Sequence, residues 1–301
     1  MKLVNETSLD TRPKIGLVAG WGQYPVQVAR LLRQAGFNIY CLGLIGHFDP
    51  EIARYCHHVK PVGLGRFGAS IRYFRKHGVN RAILAGKVFK TKLMEPWAIW
   101  KHFPDFTFWR YFYHHFITGR KNRNDDALLS TVTQTYLDHG ISFMPATDFV
   151  PELLVKEGLL TLKPITEHQW QDIAFGWRMA KEMGRLDIGQ SIAVKGRAVL
   201  AVEAIEGTDE CIRRAGQLCP SGGFSIVKVA KPEQDMRYDV PTVGLGTIQT
   251  MRAVGGRVLA IESQKTIILN QDEMIAFANG CGISVVAVTE ATISRFHRVA
   301  A

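Results

Sequence analysis

The chain has no uninterrupted apolar run near the roughly 20 residues a membrane-spanning helix needs, and MKLVNETSLDTRPK at its start lacks the apolar core of a signal peptide. Those two absences lead to the expectation of a cytoplasmic protein, or one resting on the cytoplasmic face of a membrane. Cysteine is scarce and scattered: Cys41, Cys56, Cys211, Cys219 and Cys281 are odd in number and form no CxxC pair. A zinc site and a disulfide frame are both disfavoured, and reduced thiols are expected. Internal repeats and low-complexity linkers are also missing.

What is present is enough for two ordinary domains. The 301 residues are 47% hydrophobic and 21% charged, which suits buried cores beneath a polar surface. The formal net charge is +10, and its distribution is uneven. Residues 66–123 hold 13 Lys/Arg against only Glu95 and Asp105, leaving the remainder close to neutral. A localised basic segment implies an anionic partner such as nucleic acid, anionic lipid or a phosphorylated substrate.

Hydrophobic patterning predicts strands at 15–19, 38–44 and 81–85, alternating with helices at 25–35 and 67–77. That alternation predicts an N-terminal Rossmann-like parallel sheet, with binding beyond the carboxyl ends of its strands. Gly20, Gly22, Gln23, Gly86 and Lys87 fall there. A helix opening at Asp125 and Asp126 and a strand at 141–145 follow, and the pattern turns irregular at 147–151. The junction is placed so that residues 1–148 form one domain and 149–301 a second, C-terminal catalytic α/β domain with a mixed sheet. In the second, helices are predicted at 166–183, 208–215, 247–253 and 271–278. Its predicted strands are a pair around Lys195-Gly196 and segments at 225–229, 258–261, 266–269 and 284–288.

The first turn, GWGQYP, lets backbone approach a phosphate. It is not GxGxxG, because Pro25 stands where the third glycine would pack, and no acidic residue ends the second strand. A dinucleotide is therefore disfavoured, as is the nicotinamide-dependent oxidoreductase that would use it. Ten of the chain's 30 aromatic residues fall in 97–116, interleaved with Lys101, Arg110 and three histidines. Such a mixture suits a lipid interface, and equally a helix packed in the core or against a second subunit. Nucleic acid is the weakest reading of it. Asp125 and Asp126 read first as helix-start acids, though Arg120, Lys121 and Arg123 beside them could face phosphate.

The densest pattern lies between Val202 and Gly244. Glu203, Glu206, Asp209, Glu233, Asp235 and Asp239 alternate there with Lys228, Lys231 and Arg237, among glycine and proline turns. Carboxylates of this kind hold Mg²⁺ together with phosphate and water, and the cations stabilise a leaving phosphate. Asp209 also reads as a cap for the helix after it, and Glu203 is expected to point away from its strand.

The strings GLVAGWGQYP, AGKV, NDDALL, GRLDIGQ, VLAVEAIEGTDECIRRAG and KPEQDMRYDVPTVG resemble, in this order, the UDP-2,3-diacylglucosamine pyrophosphatase family of the metal-dependent, non-calcineurin type. The resemblance runs from about residue 15 to about 288. It implies two α/β domains and Mg²⁺-dependent hydrolysis (Mn²⁺ as a substitute) of a UDP-linked diacyl amino-sugar lipid. Water would attack the sugar-side phosphorus, giving UMP and diacylglucosamine 1-phosphate for lipid A synthesis at the inner membrane. It implies Asp239 first for metal ligation and catalysis, with Asp235, Glu206 and Asp209 as further ligands or orienters and Lys231 and Arg237 as catalytic cations. Gly20, Gly22, Gln23, Lys87, Asp126, Gln190, Lys228 and Thr242 are its candidates for substrate contact. Trp21 departs from the glycine usual in the first turn. Anionic membrane and a second copy of the chain are the partners it leaves open. The rival expectation is a non-catalytic nucleotide- or lipid-binding protein of the same fold.

Overall fold

The computed structural model describes residues 12–88, 102–116 and 125–299, with the side chains of 113–116, 125–127 and 297–299 outside that description. The chain divides into two compact units, Met1–Val150 and Pro151–Ala301.

In the first unit, β1 (Lys14–Ala19), β2 (Asn38–Leu44), β3 (His58–Val62), β4 (Arg81–Ala85) and β5 (Ser142–Phe143) form one sheet in the order β3-β2-β1-β4-β5. Every pairing is parallel. Strands covered on both faces read as continuous apolar runs, and all seven residues of β2 are buried. Helices α1 (Gln23–Gln34) and α2 (Phe67–Lys76) return the chain between strands. In α1, Val26, Val28, Ala29 and Leu32 make the stripe that faces the sheet. The edge strand β3 was not foreseen: HVKPV carries Pro61 and is half exposed, as an edge strand can be.

Two further helices complete this unit, α3 (Phe106–Phe116) and α4 (Asp125–Leu137). Asp105 joins α2 to α3. Its Oδ2 accepts from the backbone N–H of Gly68 at 2.7 Å and Ala69 at 3.3 Å, and its Oδ1 from Phe108 at 3.1 Å. One carboxylate thus caps two helix starts, since the N-cap of α2 makes no side-chain cap of its own.

In the second unit, β6 (Gly158–Leu159), β7 (Ser191–Lys195), β8 (Ala198–Val202), β9 (Ser225–Lys228), β11 (Val258–Glu262) and β13 (Ser284–Val288) form a six-stranded sheet. The order is β6-β13-β11-β9-β7-β8. Strands β9, β11 and β13 run parallel, whereas β7 is antiparallel to both β8 and β9. A separate pair joins β10 (Thr242–Val243) to β12 (Ile267–Ile268).

Alternation along the strands divides the core in two. Ile226, Leu259 and Ile261 pack with α6 (Thr208–Leu218), α7 (Leu245–Val254) and α8 (Gln271–Cys281). Their neighbours Val227, Val258 and Ala260 pack with α5 (Glu167–Arg185) and with Ile293 of α9 (Glu290–Val299). The Thr166–Gln169 capping box starts α5. From that helix the buried Asp172 accepts the N–H groups of Gly196 and Arg197 at 3.1 and 2.6 Å, fixing the β7–β8 turn. Both turn residues have φ near +60°, as a two-residue hairpin of this twist requires.

Candidate active site

In the first unit the candidate residues Gly20, Gly22, Gln23 and Lys87 come together at the carboxyl ends of β1 and β4. Gly20 N–H donates to Ala85 at 2.8 Å, and Trp21 and Lys87 exchange two backbone hydrogen bonds at 2.8 and 3.0 Å. The approach is so close that a Cβ on Gly20 would sit 2.7 Å from the Lys87 carbonyl, and one on Gly86 would sit 2.7 Å from the Pro25 ring. Gly22 (φ 105°) begins α1, whose first turn holds no side-chain cap and no acid. A helix start that carries no acid and no side-chain cap of its own suits an anionic group. Gln23 is tethered loosely to Asp49, at 3.4 Å. Asp126 lies in α4, and its side chain is outside the described residues.

The basic-aromatic segment divides by face. Phe112 is buried and Phe108 packs beside it, with Phe67 and Tyr136 completing the cluster. Phe103, Phe106 and Trp109 are exposed. The core reading therefore holds for one face of α3. Trp97, Trp100, Lys101, Arg120, Lys121 and Arg123 lie outside the described residues. Among the described residues, no helix is long and apolar enough to cross a membrane.

In the second unit, two sign reversals between β9, β7 and β8 bring the carboxyl ends of β8, β9, β11 and β13 to one edge. Glu203 follows β8, Lys228 ends β9, Glu262 ends β11, and Gln190 precedes β7 at the same edge. Glu203 does not point away from its strand: it is 8% exposed. Its Oε1 accepts from Thr208 Oγ1 at 2.9 Å, while the Lys228 ammonium, 6% exposed, donates to the same hydroxyl at 2.8 Å. A buried cation and a buried anion thus meet through one hydroxyl. Among the described residues, Glu203 Oε2 and Gln190 Oε1 are buried without a hydrogen-bond partner, and internal water or ligand donors are the groups that satisfy such atoms. Gly189 is required beside them, since its Cβ would come 2.1 Å from the Glu203 carbonyl.

The segment after Lys228 carries most of the other candidates, and several of its charges are paired. Arg237 grips Asp235 through both oxygens, with contacts of 2.6 to 3.0 Å, and this bonding holds the Asp235 carboxyl below its ordinary pKa. Lys231 pairs with Asp187 at 2.6 Å. Asp239 N–H donates to the Asp235 carbonyl at 3.0 Å, and Thr242 Oγ1 donates to the Val240 carbonyl at 2.9 Å. Glu206 pairs with Arg214. Its own backbone N–H first, then that guanidinium, lower its pKa. Asp209 sits in the first turn of α6 but does not cap it: the N-cap is Gly207 and the helix start has no side-chain cap, so its carboxylate meets only the helix's positive end.

The start of this loop is fixed by residues that sequence reasoning missed. Glu262 Oε2 accepts from Ala230 N–H at 2.7 Å and from Lys181 Nζ at 2.6 Å, and Lys181 also donates to the Ala230 carbonyl at 3.0 Å. Thr208, Asp187 and Arg214 were likewise not singled out, because their partners are distant in sequence or their types are common on helix surfaces.

The donor chemistry can be compared with that of a hard divalent cation. Among the described residues, no three His, Cys, Asp or Glu side chains converge into a metal-holding group. Magnesium takes one or two carboxylates and completes its shell with phosphate and water, and Asp235 and Asp239 in one loop supply oxygen donors of that type. Donor type fits, and a preformed cage is not needed.

Two family models match in succession, the LpxI N-terminal domain over residues 14–153 and the LpxI C-terminal domain over 156–286. The UDP-2,3-diacylglucosamine pyrophosphatase LpxI of Caulobacter vibrioides is 32% identical over 286 residues, covering 91% of this chain and 97% of the relative. The chain belongs to the LpxI family. Both LpxI domains are present in the family's order, and the two clusters described above fall one in each.

Proposed function

We propose that this LpxI-family chain hydrolyses the pyrophosphate bond of UDP-2,3-diacylglucosamine, a step of lipid A synthesis. The observation that carries this reading is the end-to-end similarity to a pyrophosphatase of that name, joined to a C-terminal loop that concentrates cations and carboxylates. Water adds to the sugar-side phosphorus, the bond from that phosphorus to the bridging oxygen breaks, and UMP leaves with that oxygen. The lipid product is 2,3-diacylglucosamine 1-phosphate.

Asp239 and Asp235 would hold Mg²⁺, or Mn²⁺ in its place, with Glu206 and Asp209 assigned as further oxygen donors; the metal would polarise the phosphoryl group and acidify the attacking water. Lys228, Lys231 and Arg237 stabilise the charge that gathers on the leaving phosphate. Their present partners, Thr208, Asp187 and Asp235, are resting partners that the substrate phosphate would replace. That exchange keeps the charges satisfied when the site is empty, at a desolvation cost smaller than leaving them bare. Gly20, Gly22, Gln23, Lys87, Asp126, Gln190 and Thr242 are assigned to substrate contact, and the exposed Phe103, Phe106 and Trp109 to an anionic membrane surface.

The test is turnover of UDP-2,3-diacylglucosamine in ¹⁸O-labelled water, with and without Mg²⁺, read by mass spectrometry. Label in the lipid phosphate and none in UMP is expected. Label in UMP would overturn the assigned phosphorus, and absence of product both with and without Mg²⁺ would overturn the enzymatic reading in favour of a binding protein.

A further inference from the structure

A second cationic centre lies on the far side of the first unit from the Gly20–Lys87 turn. Ala69, Arg72, Tyr73 and Lys76 are spaced so that they share one face of α2, and His58 and Lys60 share one face of β3. Together with His77 they line a cavity of about 390 Å³. His58 begins its strand and His77 follows the end of α2. The cavity therefore opens toward the amino edge of the sheet, along its unpaired β3 border.

Among the described residues, no carboxylate lines this cavity. Among the described residues, Lys60, Arg72 and Lys76 form no ion pair, although Arg72 and Lys76 are like charges one helical turn apart. Helix-end complementation accounts for only part of the charge, because Lys14 already donates to the His77 carbonyl at 3.1 Å. Tyr73 is buried, and its Oη lies 2.8 Å from His58 Nδ1 and 3.4 Å from the His58 carbonyl. A hydroxyl that donates to the carbonyl accepts from Nδ1–H, which fixes the imidazole; Nε2 is then an acceptor in the neutral ring and a donor to an anion only in the imidazolium form. Tyr40 stacks on His77 at 4.6 Å and fixes the second ring.

We propose that this cavity binds a phosphate-bearing anion, gripped by Lys60, Arg72 and Lys76 and completed by the imidazoles of His58 and His77. Its volume admits a phosphate with a sugar-sized body, and the chemistry is shared by a free phosphorylated metabolite and a lipid phosphate headgroup. The inference is independent of the pyrophosphatase reading. Affinity depends on pH. Burial first, then His58, Lys76, Lys14 and His57, hold His77 below its ordinary pKa, and a bound anion raises it again. By reciprocity the protonated site binds more tightly. The other groups facing His77 are Lys60, Arg72, Tyr40 and Tyr73, none of them acidic at neutral pH.

The full chain is titrated with sulfate, whose charge is constant over the range, at about pH 6 and about pH 8. The imidazole ¹H–¹⁵N resonances of His58 and His77 report occupancy. The same protein is sedimented with phosphatidylcholine vesicles, with and without phosphatidylglycerol. Sulfate should bind more tightly at the lower pH, and Arg72→Gln or Lys76→Gln should each weaken it about tenfold, as loss of one charge-assisted hydrogen bond does. Arg75→Gln, on the same helix but outside the cavity, should leave it unchanged. Sulfate binding without vesicle binding assigns the site to a free phosphate compound. Vesicle binding that needs Arg72 and Lys76 assigns it to a lipid headgroup. Unmoved imidazole resonances with both sulfate and vesicles, or equal weakening by Arg75→Gln, overturns the proposal.

Discussion

Replacing Glu262 by alanine removes the acceptor that ties the start of the candidate catalytic loop to β11. Two losses combine. The Lys181 ammonium, 24% exposed against 8% for Glu262, loses its counter-charge, and Ala230 N–H loses its acceptor. Breaking a fully buried pair costs about 3–5 kcal/mol, and partial exposure of Lys181 reduces that. An orphaned buried N–H costs about 1–3 kcal/mol. Solvation of Lys181, and its remaining contacts with the Ala230 carbonyl and the Trp177 ring, bring the expected loss to about 3 kcal/mol. For a unit of this size the midpoint then falls by roughly 6–12 °C. Glu262→Gln keeps an acceptor for Ala230 and should lose about 1 kcal/mol. The alanine variant also acquires a pH signature. Burial already holds Lys181 below its ordinary pKa, and Glu262 opposes that shift. Without Glu262 the folded-state pKa falls further, so the unfolded chain binds more protons between the folded and unfolded pKa values. Stability of the variant therefore rises with pH across that window, relative to the parent. Urea denaturation at several pH values and amide exchange at Ala230 measure both effects. A variant within about 0.5 kcal/mol of the parent, with unchanged exchange at Ala230, would falsify the assignment of Glu262 as the loop's anchor.

Asp239→Ala should abolish turnover while leaving the thermal midpoint unchanged, and near-normal activity would remove Asp239 from the catalytic role. Asp105→Ala should destabilise the first unit by about 2 kcal/mol, the cost of a cap serving two helices. Asp105→Asn should recover part of that loss in denaturant titrations. Gly20→Ala should cost about 1–3 kcal/mol, because its Cβ meets the Lys87 backbone at 2.7 Å; equal stability would show that the two turns do not pack as described. Asp235 makes its ion pair while about a third exposed, so Arg237→Gln should change stability by less than about 1 kcal/mol while lowering turnover severely.

Much of this architecture is legible because buried parallel strands are continuous apolar runs. Segments 38–44, 81–85 and 284–288 coincide with β2, β4 and β13, and the Lys195-Gly196 turn lies where its glycine suggests. What escaped has a physical reason. The edge strand β3 has one open side and tolerates Pro61, β6 and β10 are two residues long, and among its described residues α9 buries only Ile293 against the core. The charged groups of the candidate site were visible, but their pairings were not. Lys231 meets Asp187 across 44 positions and Lys181 meets Glu262 across 81, separations at which periodicity carries no information. Glu203 was misplaced because Thr208, and Lys228 through it, make its burial tolerable, and neither belongs to its strand.

The stitch between Trp21 and Lys87 joins main chain to main chain, so the path of both turns is set without either side chain. Gly20 and Gly86 cannot change, because atoms occupy the space any larger residue would need. Positions 21 and 87 can change without disturbing the bridge, since it is made by their own peptide groups and both residues are exposed. A tryptophan where relatives are expected to carry glycine is thus no distortion of the turn. The scaffold separates what must stay constant from what selection can vary, and ligand preference at this rim can drift through two adjacent side chains while the frame beneath them holds still.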